Sequence, residues 1–491
     1  MINQEDKSHR NILQQIARLA MLERGLLPDF STDVISELTA MKSPAIIEND
    51  GIRDLKNLLW ASIDNDDSRD LDQLTVAESM QDGNVKIYVA IADVDSLVLN
   101  NSAIDTHARH NTTSIYTAAQ IFPMLPERLS TDLTSLNYGE DRPAIVVEYV
   151  VTPDGSLTTS DVYQAVVYNY AKLAYNGVSD WLDGKVPIPA QISSVKGLDE
   201  NLKLQDRVAQ SMKKVRRDHG ALTFETIKAN MIFEGDEIRE MQPERKNRAR
   251  DLIEDFMIAA NGVIARYLSS KNVPSIRRIV RIPERWDRIA EIAADHGFTL
   301  PDTPDAVALE KFLTAQKESD PLRFPDLSLV IIKLMGAGEY VADMPGDSVP
   351  GHFALAVNDY AHSTAPNRRY PDLITQRLLK ASLENKKMPY SNDELQTLAK
   401  HCTEEEDAVK KVERQVSKSA AALLLESRIG EKFDAIITGA SEKGTWARLL
   451  AMPVEGRLIQ GFKGSDVGHR IRVQLVNTDV EKGFIDFKKV N

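Results

Sequence analysis

The chain has 491 residues, of which 42% are hydrophobic and 27% charged, and a net charge of −13 at pH 7. That length is too great for one ordinary core and predicts two or three domains; the acidic balance argues against a protein that coats nucleic acid through bulk positive charge, while leaving room for an enzyme with locally gathered basic groups. The polar start, the lack of any apolar run of about 18 residues and the lone Cys402 predict a cytoplasmic protein with no secretory signal, membrane span, disulfide or cysteine-built zinc site.

Residues 1–49 read as a helical lead-in. "NILQQIARLAMLE" is amphipathic, with apolar positions at Ile12, Ile16, Leu19 and Leu22, and "FSTDVISELTAM" follows with Ser31 or Thr32 as its cap. From about residue 50 the texture changes. "NVKIYVAIADV" alternates and then becomes continuously apolar, as in a strand entering a buried sheet. "AIVVEYVVTPDGSLTTSDVYQAVV" reads as two strands joined by the turn Pro153-Asp154-Gly155. Helices then dominate: "ARDLIEDFMIAANGVIARYL" repeats Leu252, Phe256, Ala260, Val263 and Tyr267, and "RRYPDLITQRLLKASLE" opens with a proline in its first turn. A long helix starts at the capping box Ser391/Glu394 and carries the stripe Val409, Val412, Val416, Ala420 and Leu423. Residues 50–428 therefore form one large α+β body, a mixed sheet packed with helices.

Gly430 ends that helix, and about five short glycine-punctuated strands occupy the rest, 429–491. This pattern suits an all-β OB-type barrel, whose open face commonly binds single strands; a structural or protein-binding barrel is the alternative. Three basic clusters, "MKKVRRDHG" from Met212, "ERKNRAR" from Glu244 and "SIRRIVRIPERWDR" from Ser275, read first as solvated faces.

The residues that carry chemistry begin at Trp60. "WASIDNDDSRDLDQLTVAE" places Asp64, Asp66, Asp67, Asp70 and Asp72 within nine residues. Such mutual repulsion requires solvent, basic partners or cations. A calcium loop fails, because Arg69 stands where the glycine belongs and Thr75 where the terminal glutamate belongs. Two readings stay open: a solvated acidic loop, or a magnesium site in which Asp70 and Asp72 share one face of an extended segment, Leu71 turns to the core and Asp64 folds back. A second polar loop, "GHFALAVNDYAHSTAPNRRYPDL", sets His362, Arg368, Arg369 and Tyr370 at a helix start, where guanidinium groups and the end dipole suit a phosphate. Its alternative is a surface loop whose arginines pair with Asp372.

Together these blocks resemble the ribonuclease II/ribonuclease R (RNB) exoribonucleases. "SIDNDDSRDLDQL" is similar to the family's aspartate signature, "VAIADV" and "IFPMLPERLSTDLTSLN" to its next blocks, "LIEDFMIAAN" to its helix, and "YAHSTAPNRRYPDL" to its arginine loop. The closing strands resemble its RNA-binding barrel of the ribosomal S-one kind. The resemblance implies 3′→5′ hydrolysis of single-stranded RNA to nucleoside 5′-monophosphates with Mg²⁺, Mn²⁺ being an alternative, by a monomer. It implies that Asp64, Asp70 and Asp72 hold the metal, with Asp70 and Asp72 also catalytic, that Arg368 holds the scissile phosphate and that Tyr116 stacks on the terminal base. It further implies an RNA contact at Glu254; Arg369 and Tyr370 of the polar loop are further candidate RNA contacts, and Phe433 and Trp446 are the barrel's candidate stacking rings. Three departures stand out. Gln73 replaces a usual aspartate, leaving only a neutral amide oxygen as a metal ligand; Ala365 and Asn367 alter the arginine loop; and residues 1–49 are too few for the family's cold-shock barrels. An RNA-binding protein on a weakened nuclease body is therefore the second expectation.

Overall fold

The computed structural model describes residues 8–46, 51–226, 229–243, 247–441, 444–465 and 467–490. Helices α1 (His9–Leu22) and α2 (Thr32–Ala40) open the chain, followed by strands β1 (Arg53–Asp54), β2 (Ala61–Asp64), β3 (Gln73–Ser79) and β4 (Val85–Ala92). Next come α3 (Ala103–Asn111), the short pair β5 (Ile115–Tyr116) and β6 (Ile121–Phe122), and strands β7 (Asp141–Val151), β8 (Leu157–Tyr168) and β9 (Ala171–Ala174). Helices α4 (Tyr175–Leu182), α5 (Ala190–Ser193) and α6 (Leu198–Asp218) precede the hairpin β10 (Ala229–Glu234) and β11 (Glu237–Pro243). The second half of the body holds α7 (Arg248–Ser270), β12 (Ser275–Ile279), α8 (Trp286–Asp295), α9 (Ala306–Ser319), α10 (Phe324–Met335), β13 (Glu339–Asp343), α11 (Tyr370–Leu383) and α12 (Asn392–Glu426). Five strands close the chain: β14 (Lys432–Ser441), β15 (Gly444–Leu449), β16 (Glu455–Gln460), β17 (Arg470–Asp479) and β18 (Phe484–Val490).

A seven-stranded sheet in the order β1-β8-β7-β4-β3-β2-β9 frames the body, parallel at its two outer pairings and antiparallel between. Its central strands are apolar on both faces because helices cover both, so β4 is buried from Ile87 to Ala92 and β7 over most of its length. Trp60, Tyr149 and Phe256 anchor this core, and the indole N–H of Trp60 donates to the Leu55 carbonyl at 2.8 Å. The expected α+β body followed by a barrel is what forms: β14-β15-β16-β18-β17 is a closed five-stranded barrel. The expected boundary at 428/429 falls between α12 and β14, whereas the one at 49/50 lies outside the described residues.

Ser31 is the cap of α2, and Ser391 with Glu394 forms the capping box of α12. The face of α1 differs from the expectation. Leu13, Ile16, Ala17, Ala20 and Met21 are buried, while Leu19 and Leu22 are 57% and 58% exposed. Helix α1 packs along α12 against Val409, Val412 and Val416, and the small Ala17 and Ala20 permit that close approach, so alanines define the contact stripe.

Several members of the basic clusters are held in ion pairs, while Lys214, Arg281, Arg285 and Arg288 are exposed as expected of a solvated face. Lys213, Arg216 and Arg217 on α6 pair with Asp251, Asp255 and Glu310, tying α6 to α7 and α9. Arg277 and Arg278 are buried in β12, where they pair with Asp343 and Glu406, and Arg248 binds Asp206 through two hydrogen bonds of 2.8 and 2.6 Å. Buried cations persist only when paired, and acidic residues of distant sequence supply those pairs.

Candidate active site

Strand β2 ends at Asp64, beside Ala174 of β9, and the chain leaves the sheet until β3 begins at Gln73. The loop between is tightly held. The Leu71 N–H donates to Ser135 Oγ at 2.9 Å, the Leu71 carbonyl accepts from Leu136 N–H at 3.0 Å, and the Asp72 carbonyl accepts from Ala92 N–H at 2.9 Å. Leu71 is buried, as alternation predicts, and Asp66 and Asp67 are exposed in the turn. Asp64 Oδ1 accepts from the Asn65 N–H at 2.9 Å and from Ser68 Oγ at 3.0 Å, which fixes its rotamer.

The arginine loop closes over this segment just before α11. Asp72 is 2% exposed; its Oδ1 accepts from Asn367 N–H at 3.1 Å and its Oδ2 from Arg368 Nε at 3.2 Å. The Arg368 side chain keeps 40% exposure, so its remaining donors face the open site. The Arg368 carbonyl accepts from Ser114 N–H and Thr113 Oγ1, each at 3.0 Å, which ties the segment leading into β5 to the same loop. Tyr116 stands at the end of β5, 43% exposed, and its N–H donates to Glu413 of α12. Three stretches far apart in sequence thus meet at one place.

Electrostatics describe the same neighbourhood. Burial pushes the Asp72 carboxyl up to about 7; Arg368 opposes that rise and Asp70 adds to it. Asp70 is also raised, first by burial and then by Asp64, with Arg368 again opposing. The Tyr116 hydroxyl is raised by burial of the phenolic group and by Asp70, Asp72 and Asp64, while Arg368 works against them. The acids repel one another across a site whose central cation is Arg368.

Several expected contacts lie elsewhere. Arg369 is turned inward and donates to Asp372 Oδ1 at 2.7 Å, Asp372 itself being fully buried, so this arginine braces the helix start. Tyr370 is fully buried in the core under α11, and Phe433 lies in the barrel core, 8% exposed. Neither ring is open to a base: Tyr370 is enclosed by the apolar core, and Phe433 by the barrel core with the Arg428 guanidinium 4.7 Å from its ring centre. Trp446 alternates outward on β15 and lies across Gly439 and Gly444 on the outer wall. Glu254 is exposed on α7, whereas the adjacent Asp255 is buried against Arg216. Gln73 is half-buried opposite Ile91, and no hydrogen bond to its amide forms among the described residues.

The sequence reading missed Tyr175 and Arg250. Tyr175 opens α4, and its hydroxyl is raised by burial and by Asp64, with Arg250 and Arg368 opposing. The Arg250 guanidinium lies 4.9 Å from the centre of that ring. Arg250 did fall in a noted basic cluster; Tyr175 carried no signal beyond being an aromatic at a strand-to-helix junction.

The donor set of Asp64, Asp70, Asp72 and the Gln73 amide is all hard oxygen, which suits Mg²⁺ or Mn²⁺ and fits no soft-metal site. Among the described residues no three ligand side chains converge as a ready cluster, since Asp72 is engaged by Arg368 and Asn367. The chemistry fits; the final convergence is not preformed.

Residues 52–385 match the RNB domain, and residues 431–490 match the RNase II-type exonuclease C-terminal S1 domain. The chain belongs to the RNB family. Ribonuclease R of Escherichia coli is 30% identical over 478 residues, covering 89% of this chain and 57% of that protein. Ribonuclease R 1 of Lactococcus lactis is 26% identical, covering 99% of this chain and 62% of that protein. This RNB chain therefore spans about half to two thirds of the length of such relatives. Its fold matches Mycoplasma genitalium RNase R, solved in complex with ribose-methylated single-stranded RNA, with a TM-score of 0.87, 23% identity and coverage of 98% of this chain and 78% of that one. It also matches yeast Ssd1, described as a pseudonuclease, with a TM-score of 0.72, 16% identity and coverage of 92% and 56%.

Proposed function

We propose that the chain is a metal-dependent 3′→5′ exoribonuclease that hydrolyses single-stranded RNA to nucleoside 5′-monophosphates, acting as a monomer in the cytoplasm. The observation that carries this reading is the meeting of Asp64, Asp70 and Asp72 with Arg368 and Tyr116, on the body of an RNB domain. Arg368 holds the scissile phosphate through guanidinium donors that Asp72 leaves free, and Tyr116 stacks on the 3′-terminal base. Mg²⁺, or Mn²⁺ in its place, would be held by Asp64, Asp70 and Asp72 with Gln73 as a neutral donor, and it would supply an activated water and neutralise the leaving oxygen. Glu254, exposed on α7, is a candidate contact to the terminal nucleotides. Trp446 on the barrel wall provides a stacking surface for the incoming strand. The relatives' names, Ribonuclease R, support the reaction class.

Gln73 favours one second reading, an RNA-binding protein on a weakened nuclease body. A time course on 5′-labelled single-stranded RNA with Mg²⁺, Mn²⁺ or chelator, run beside Asp72→Asn, separates the two. Metal-dependent shortening from the 3′ end, absent in the variant, is the result expected of the nuclease. Intact RNA with a clear binding shift would make the second reading the function.

A further inference from the structure

The acid loop is stapled back onto the strand pair that delivers it. Strands β2 and β9 run parallel, with Ser62 opposite Lys172 and Asp64 opposite Ala174, so Lys172 and Asp64 stand on one face of the sheet, two residues apart along it. The Lys172 ammonium reaches past the strand end and donates to the Ser68 carbonyl. Ser68 in turn donates from Oγ to Asp64 Oδ1 at 3.0 Å, and its N–H donates to the Asn65 carbonyl at 3.1 Å, which closes the turn. With the Asn65 N–H also on Oδ1, that oxygen has both lone pairs in use. Among the described residues no hydrogen bond reaches Asp64 Oδ2. Beside the staple lies a cavity of about 530 Å³ lined by Asn65, Asp66, Lys172, Gly177 and Gln191. On that side packing does not hold the turn, and the lysine does.

We propose that Lys172 is a positioning residue for Asp64, acting through Ser68 to hold the carboxylate with Oδ1 filled and Oδ2 turned to the site. The inference rests on the metal-dependent reading for what Oδ2 then meets, a Mg²⁺ or Mn²⁺ ion held through a single oxygen. A carboxylate free to rotate must be ordered when the ion binds, whereas one already ordered does not carry that cost. The staple also sets where the chain leaves the turn. Ser68 is tied to β9, and Ser135 Oγ donates to the Arg69 carbonyl at 3.2 Å and accepts from the Leu71 N–H at 2.9 Å, so Asp70 is carried between two fixed points. Lys172 itself needs no contact with ion or RNA.

The test reads Mn²⁺ binding to the full chain by electron paramagnetic resonance, without RNA, in the parent, Lys172→Met, Ser68→Ala, their double variant, Lys172→Arg and Asp64→Asn. Lys172→Met and Ser68→Ala should each weaken binding about tenfold, the lower end of what loss of a metal ligand's support costs. The double variant should bind no more weakly than Ser68→Ala, since the lysine reaches Asp64 only through that hydroxyl. Lys172→Arg keeps a donor for the carbonyl and should recover most of the affinity. Amide exchange in chelator follows the same relay without the ion: the Asn65 N–H, which rests on Asp64 Oδ1, should exchange about tenfold faster in Lys172→Met and in Ser68→Ala. Where Asp64→Asn weakens Mn²⁺ binding, parent-like binding by Lys172→Met overturns the proposal, as do losses that add in the double variant. Where Asp64→Asn binds Mn²⁺ like the parent, the assignment of Asp64 to the metal fails instead, and exchange decides the role of Lys172: faster exchange upholds it and unchanged exchange overturns it.

Discussion

Replacing Asp72 by asparagine should abolish hydrolysis and at the same time stabilise the protein at alkaline pH. The carboxyl is 2% exposed, and burial raises it from the ordinary 3.8 to about 7 despite Arg368. Between those two values the folded chain holds a proton that the unfolded chain has released, so stability falls as pH rises through the window and levels off above it. The full difference corresponds to about 4 kcal/mol against the folded state once Asp72 is ionised, at about 1.4 kcal/mol for each tenfold change. An amide removes that penalty but, with its oxygen accepting from Asn367, turns an N–H toward Arg368, which costs back about 1–2 kcal/mol. The net gain is about 2–3 kcal/mol at pH 8.5 and turns into a loss of about 1–2 kcal/mol below pH 4, where the parent carboxyl is protonated and only the cost of the misplaced N–H remains. For a chain of 491 residues the gain at pH 8.5 moves Tm by about 2–3 °C, from an unfolding entropy near 2 cal/mol/K per residue. Thermal unfolding of both proteins in chelator from pH 5.5 to 8.5 measures it. Curves that run parallel across this range, or a variant that is less stable at pH 8.5, would refute the claim that burial sets the state of Asp72.

Arg368→Ala and Arg369→Ala should part company despite being neighbours. The first should lose turnover by at least about a hundredfold, and the stability it loses by leaving Asp72 without its cation should shrink as pH falls and Asp72 takes up a proton; the second should lose about 3–5 kcal/mol of stability, because Asp372 is left buried without its cation. Denaturant melts beside rate measurements distinguish them. In the barrel, Phe433→Ala should cost about 3–5 kcal/mol through loss of core packing, whereas Trp446→Ala should leave the fold intact and weaken RNA binding by about 1–3 kcal/mol, as read by filter binding. Gln73→Asp should tighten Mg²⁺ binding and raise the rate at limiting Mg²⁺, since a carboxylate replaces a neutral amide; an unchanged metal titration would show that position 73 does not face the ion.

Much of the fold could be read along the chain because it rests on local patterns. The capping box at Ser391, the turn at Pro153-Asp154-Gly155 and the stripe from Val409 to Leu423 are each decided by neighbours within one or two turns, and each appears in the structure. The stripe of α1 holds at Ile12 and Ile16 and fails at Leu19 and Leu22, because its burial depends on the partner. Ala17 and Ala20 lie in the core shared with α12, while Leu19 and Leu22 point to solvent.

The candidate site divides along the same line. An aspartate run that repels itself announces a site, and the order of the blocks places it in the RNB family, so Asp64, Asp70, Asp72, Arg368 and Tyr116 could be named from sequence. Their meeting could not, since it depends on the Arg368 carbonyl holding the segment before β5 and on Asn367 reaching across to Asp72. Charge alone also does not say which arginine is used. Arg368 and Arg369 are adjacent letters, as are Glu254 and Asp255, yet Arg369 and Asp255 are turned inward onto Asp372 and Arg216 while Arg368 and Glu254 keep more exposure. Sequence by itself determined the kinds of groups present and the elements that carry them. Only tertiary structure decided which charges are neutralised inside and which remain for a ligand, because the cost of an unpaired buried charge is settled by whatever distant segment packs against it.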